Sequence, residues 1–389
     1  MTTTTKQTAT KIQSKIVNLK SFVFHLSSHI LYLNYFVSLQ KMLYTKNLTI
    51  GYKNLIIQKE LNLNVSAGKL ICLVGINGCG KSTLLRTLAG LQPPISGKVF
   101  IAQAPPKVAP SNSPEGGEHS SPLRGEVGGG AYKEITKLTD YDRSTLLSLV
   151  LTDKIEVENL TVFELVALGR YPYTDWNGTL AENDIKAVET ALNQVNLQHK
   201  KYSMLSAVSD GEKQRAIIAK ALAQETPLVL LDEPTSHLDL PNRIEIMMLL
   251  RQLSVNTKKS FILSTHELDL AVQMSDYLWL MDKNETITGI PEDLMLSQKF
   301  QKSFENRNFN FNSEDGHYKI VQPIGNLKVA VKGENEQAKW LKRAFIRCGI
   351  VEDKNSKIVV EIIDNKFVIN DFKTNSIEKL LDNLLTSNF

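Results

Sequence analysis

Gly75-Ile76-Asn77-Gly78-Cys79-Gly80-Lys81-Ser82 fits the pattern G-x-x-x-x-G-K-S in full. The apolar run Lys69-Leu-Ile-Cys-Leu-Val74 precedes it, and in Ser82-Thr-Leu-Leu-Arg-Thr-Leu-Ala89 behind it the apolar residues fall at helical spacing. Strand, glycine-rich loop, helix is the order that lets backbone N–H groups wrap a phosphate while the positive end of the helix dipole faces it. A lysine at a helix start is unfavourable without an anion, which argues against a plain glycine turn. The loop therefore nominates Gly75, Asn77, Gly78, Cys79, Gly80, Lys81, Ser82 and Thr83 for nucleotide contact. Lys81 would place its charge on the β- and γ-phosphates, and Ser82 would ligate Mg²⁺.

A second element, Pro227-Leu-Val-Leu-Leu231-Asp232-Glu233-Pro234-Thr235, drives four apolar residues into adjacent carboxylates. At a strand end this puts Asp232 beside the metal and Glu233 where it can polarise a water. Two carboxylates that only cap the next helix would require no such run before them. Loop and carboxylate pair together identify a P-loop ATPase using ATP and Mg²⁺, with Lys81 and Glu233 as catalytic residues.

Further segments resemble those of ABC-type ATPases. Val208-Ser209-Asp210-Gly211-Glu212-Lys213-Gln214-Arg215 is similar to the family's signature, usually Leu-Ser-Gly-Gly-Gln, and departs from it at Val208, Asp210 and Glu212. The resemblance implies that Ser209, Gly211 and Glu212 meet the nucleotide of a partner subunit in trans. By itself the same stretch also reads as a turn and helix cap. Ser236-His237-Leu238-Asp239 resembles the D-loop, with Asp239 as its acid. Leu263-Ser264-Thr265-His266-Glu267 resembles the switch segment and makes His266 catalytic. Tyr52 matches the aromatic residue that stacks on adenine; the other reading of it is an ordinary strand tyrosine. The family's Q-loop glutamine would fall near Leu151-Thr152-Asp153, where there is none; Thr152 or Asp153 offers a replacement oxygen for the metal or its water.

The resemblance spans about residues 43–297 and implies a two-chain sandwich around ATP. Within the superfamily, Leu160-Thr-Val-Phe-Glu-Leu-Val-Ala-Leu-Gly-Arg-Tyr-Pro-Tyr-Thr174 looks like the helical segment of importers for iron-siderophores, haem and cobalamin. The implied partners are transmembrane permease subunits, a second cassette as homodimer and, indirectly, a periplasmic or lipoprotein substrate-binding protein. The implied location is the cytoplasmic face of the inner membrane, held peripherally. A non-transport ABC ATPase acting on nucleic acid or ribosomes is the alternative, but such relatives usually carry two cassettes or a long coiled-coil insert, and no sustained heptads occur here.

The expected fold is α/β: a P-loop NTPase core with an antiparallel β subdomain, a helical signature subdomain and a small C-terminal α+β domain. Period-two alternation over Leu43–Ile57 and Leu61–Val65 marks the β subdomain. Helical runs over Leu160–Arg170 and Leu180–Leu197 mark the helical one, and Val188, Ala191, Leu192 and Val195 form its stripe. The Pro/Gly/Ser-biased stretch 104–130 reads as a disordered insertion in a cassette over 42–297.

Residues 317–389 read as the accessory domain. A helix ends at Gly349 with Ala338, Leu341, Phe345 and Cys348 on one face, a hairpin turns at Asp364-Asn365, and a helix over Ile377–Leu385 closes the chain. Residues 1–41 are basic, with no acidic residue, around an apolar stretch interrupted by His25, His29 and Asn34. They read as either an over-extended start site or an amphipathic membrane-contacting segment. Lys and Arg total 45 against 41 Asp and Glu, a net +4 that is too mild and unclustered to imply nucleic acid. Cys72, Cys79 and Cys348 are odd in number and widely spaced, which suits neither a disulfide framework nor a zinc site.

Overall fold

The computed structural model describes residues 41–53, 55–103, 132–151, 159–175, 177–282, 285–299, 309–312, 317–320 and 325–386. Of the N-terminal extension over residues 1–41, residues 1–40 lie outside them and Lys41 opens the first strand; the insertion at 104–130 also lies outside them. The chain divides into two units, Met1–Ser303 and Phe304–Phe389.

In the first unit, alternating patterns make β1 (Lys41–Tyr52), β2 (Leu55–Leu61) and β3 (Asn64–Ser66). The wholly buried run β4 (Leu70–Gly75) feeds α1 (Lys81–Leu88), followed by β5 (Ser96–Ala102) and β6 (Tyr132–Glu134). β2, β1, β5 and β6 pair antiparallel in that order, with β3 also on β1, so their inward residues Leu43, Leu48, Ile50, Val99 and Ile101 reach the core under α1.

Next come α2 (Asp140–Leu146) and β7 (Leu147–Val150), which the residue pattern did not reveal, and then the helical subdomain: α3 (Val162–Ala167), α4 (Glu182–Gln194) and α5 (Asp210–Ala223). Thr161 and Glu164 cap α3 reciprocally. The helix expected to run to Arg170 stops at Ala167 and tightens into a 3₁₀ turn over Leu168–Tyr173 that contains Pro172. Backbone contact is the reason for the tight packing, since a Cβ at Gly169 would stand 2.1 Å from the Lys220 carbonyl oxygen. Arg170, buried, then donates from Nε to Asp184 Oδ1 (2.9 Å) and from Nη1 to the Ala223 carbonyl (2.7 Å), tying this turn to α4 and the end of α5.

β8 (Leu228–Asp232), α6 (Leu240–Thr257), β9 (Ser260–Ser264), α7 (Leu268–Met274), β10 (Tyr277–Met281), β11 (Thr286–Gly289) and α8 (Pro291–Leu296) complete the unit. A six-stranded sheet runs β11-β10-β4-β9-β8-β7, parallel except for β11. Its central strands are buried on both faces, which explains their unbroken apolar runs. β9 lies between β4 and β8, so the carboxyl ends of three neighbouring strands open on one rim, where ligands of such sheets bind.

The second unit holds the antiparallel pair β12 (Phe309–Asn312) and β13 (His317–Ile320). It also holds β14 (Lys328–Lys332), α9 (Glu336–Cys348), β15 (Val351–Glu352), β16 (Val359–Ile363), β17 (Lys366–Ile369), β18 (Phe372–Thr374) and α10 (Ile377–Thr386). The sheet order is β15-β14-β16-β17-β18, and Val329, Leu341, Phe345, Val360, Phe367, Leu380 and Leu384 share one core. Asn335 caps α9, and Gly349 ends it at φ 72°. Among the described residues no helix is long and apolar enough to cross a membrane.

Candidate functional site

The glycine-rich loop leaves β4 at Gly75, where a Cβ would stand 2.2 Å from the Met281 carbonyl oxygen, and enters α1 at Gly80, whose φ of 105° disfavours any side chain. Asn77 and Gly78 are exposed at the loop tip, while Cys79 is buried, and burial pushes its thiol above the ordinary value against the opposing charge of Lys81. Lys81 opens the helix, buried, and its Nζ donates to the carbonyls of Gly75 (3.0 Å) and Ile76 (3.3 Å). The ammonium is thus held inside the cradle by the loop's own oxygens. Thr83 Oγ1 donates to Tyr52 Oη at 3.2 Å, which keeps the half-exposed ring at the end of β1 beside the first turn of α1.

The next two strands complete the rim. Asp232, buried at the end of β8, accepts on Oδ1 from Ser82 Oγ (3.1 Å) and from Ser264 Oγ (2.6 Å). The Ser264 hydroxyl in turn accepts from the Glu233 backbone N–H at 2.8 Å. Glu233 adopts φ 48°, a left-handed conformation that costs a non-glycine residue roughly 1–3 kcal/mol and recurs at functional sites. Its Oε1 lies 2.7 Å from His266 Nε2. Five residues from the start of α1 and from the ends of β8 and β9 therefore form one hydrogen-bonded chain, with the backbone N–H of Glu233 as one of its links. Ser264 went unnoticed as a site residue in the sequence; its signal was a hydroxyl directly after the apolar run Phe261-Ile-Leu263, and the sheet sets it in register with Asp232.

Ser82 and Asp232 present hard oxygens to the same point, the donor set Mg²⁺ prefers. Among the described residues no group of three or more His, Cys, Asp or Glu could hold a metal. Thr152 and Asp153 lie outside the described residues.

A second group surrounds the start of α5. The Ser209 hydroxyl accepts from Glu212 N (3.2 Å), and the Glu212 carboxylate accepts from Ser209 N (2.9 Å), a capping box that holds the Glu212 carboxyl below the usual range. Gly211 is buried, and a Cβ on it would stand 2.4 Å from Asn242 Oδ1. Ser209, Gly211, Glu212 and Asn242 line an open cavity of about 560 Å³ whose walls include none of the first group. Asp239 caps α6, accepting from Asn242 N (3.1 Å) and Nδ2 (2.6 Å). Helix capping and cavity lining coexist at Ser209, so neither reading displaces the other.

Comparison with known proteins matches two family models, one in each unit. Residues 58–236 match the model described as ABC transporter, and residues 326–385 match that of the iron ABC transporter C-terminal domain. The chain is 33% identical over 292 residues to an uncharacterised ABC transporter ATP-binding protein of Methanocaldococcus jannaschii, covering 75% of this chain and 91% of that one. It is 33% identical over 258 residues to the petrobactin import ATP-binding protein FpuD of Bacillus anthracis, covering 66% and 84%. Among solved structures, a metal-chelate type ABC transporter in an inward-facing conformation superposes with a TM-score of 0.54 at 25% identity, over 68% of this chain and 88% of that one.

Proposed function

The chain belongs to the ABC transporter ATP-binding family and is an ABC-type ATPase, and on that premise we propose that it powers an importer of chelated iron, with haem or cobalamin as related cargo. The observation that carries the chemistry is the hydrogen-bonded chain Ser82–Asp232–Ser264–Glu233–His266 beside Lys81. In the proposed cycle Lys81 exchanges the carbonyls of Gly75 and Ile76 for the β- and γ-phosphates. Tyr52 stacks on adenine, and Asn77, Gly78, Cys79 and Gly80 present N–H groups to the phosphates. Ser82 and Asp232 would hold Mg²⁺, which neutralises phosphate charge. Glu233 takes a proton from the attacking water as the bond between Pγ and the bridging oxygen breaks, and His266 holds the Glu233 carboxylate in place.

Ser209 and Gly211 of the partner subunit close over the γ-phosphate, so two chains shut around two nucleotides and hydrolysis reopens them. Permease subunits receive that motion at the cytoplasmic face of the membrane, and a substrate-binding protein delivers cargo from the other side. The match of residues 326–385 to an iron-transporter domain supports the cargo class. In cells lacking the gene, the wild-type chain should restore uptake of a radiolabelled ferric chelate while Lys81→Ala should not. Normal ferric uptake without the chain, or purification with ribosomes or RNA instead of a permease pair, would overturn the reading.

A further inference from the structure

We propose that Arg243 is a positioning residue for hydrolysis, a clasp that sets the distance between Glu233 and His266; this rests on the catalytic roles assigned to those two. Arg243 lies in the first turn of α6 and carries one planar fork between two loops. Its Nε donates to the Leu238 carbonyl at 2.6 Å, and its Nη1 donates to Glu267 Oε1 at 2.6 Å. Leu238 belongs to the loop that begins at Glu233, and Glu267 directly follows His266.

With the 2.7 Å contact between His266 Nε2 and Glu233 Oε1, these bonds close a ring: Glu233, His266, Glu267, Arg243, Leu238 and back along the chain to Glu233. Within that loop Glu233 and His237 both hold left-handed φ values, 48° and 64°, so its shape needs outside support. Arg243 and Glu267 are about a third and a quarter exposed, too open for their ion pair to contribute much stability. A guanidinium making two bonds in one plane fixes direction instead, which a lysine, with one pivoting ammonium, does only in part. Asn242, the preceding residue, faces Asp239 and Gly211, so the same helical turn also borders the cavity at Ser209.

The test is steady-state ATPase kinetics of Arg243→Ala, Arg243→Lys, Glu267→Ala and the Arg243→Ala/Glu267→Ala double variant in the full chain. The expected result is a fall in kcat of about tenfold for Arg243→Ala with KM within twofold, since small misplacements of catalytic groups act on the chemical step. Arg243→Lys should recover part of the rate, and the double variant should be no slower than Arg243→Ala. An Arg243→Ala kcat within twofold of wild type, a parallel rise in KM with no recovery in Arg243→Lys, or additive single losses would each overturn the clasp. Wild-type turnover, measured alongside, keeps the two claims apart: its absence contradicts the proposed function, and its presence with an unaffected Arg243→Ala contradicts the clasp.

Discussion

Ser264 shows how much of the site depends on one hydroxyl. It is fully buried, donates to Asp232 and accepts from the Glu233 N–H, so its replacement by alanine leaves a partly buried donor and the buried Asp232 carboxylate each short of one partner. Such losses cost about 1–3 kcal/mol. Ser264→Ala should therefore lower both the melting temperature and kcat, the latter about tenfold, by calorimetry and ATPase assay; an unchanged kcat would remove Ser264 from the site. Cys72 carries a pH expectation of its own. Burial pushes its thiol up from 9.0 to about 12, so the folded state keeps the proton that the unfolded chain releases from about pH 9 upward. Stability supported by that difference is complete below pH 9 and declines between about pH 9 and 12. Thermal melts across this range should show a steeper decline for wild type than for Cys72→Ala, and parallel curves would contradict it. At this scale Lys81, Ser82, Asp232 and Glu233 were legible because their spacing on strand, loop and helix is local. The bonds through Ser264 and Arg243 were not, because they join segments about thirty and twenty-four residues apart.

The helical subdomain illustrates element-level control. Arg170 sits in the 3₁₀ turn, bonded to Asp184 at the start of α4 and to the end of α5, with its guanidinium 4.1 Å from the Tyr173 ring centroid. Breaking a buried pair from one side costs about 3–5 kcal/mol because the other charge stays buried. Arg170→Met should therefore destabilise strongly in urea unfolding, and adding Asp184→Leu should recover much of the loss; no recovery would show that packing, not the charge, is decisive. The stripe Val188, Ala191, Leu192 and Val195 is buried as its spacing required, and Gly349 and Asp364-Asn365 end and turn their elements with the positive φ values their residue types permit. Among the elements that escaped the residue pattern, α2, β7 and β15 carry neither an unbroken apolar run like those of β4 and β8 nor a full helical repeat in their seven, four and two residues.

For the whole molecule, the α/β class and its P-loop core were legible, whereas the strand order of the large sheet was not, since β9 inserts between β4 and β8 through a pairing no local pattern encodes. The second unit has a hydrophobic core of its own, so truncation after Ser297 should leave kcat for ATP within twofold of the full chain. A severalfold rise would instead assign the accessory unit an inhibitory role. In the proposed mechanism ATP itself closes two copies of this chain around Lys81, Asp232, Glu233 and His266 of one and Ser209 of the partner subunit. Light scattering of the purified Glu233→Gln variant tests it most directly, because binding persists while hydrolysis does not: with ATP and Mg²⁺ the mass should double from monomer to dimer, and a strictly monomeric mass under saturating ATP would contradict the account.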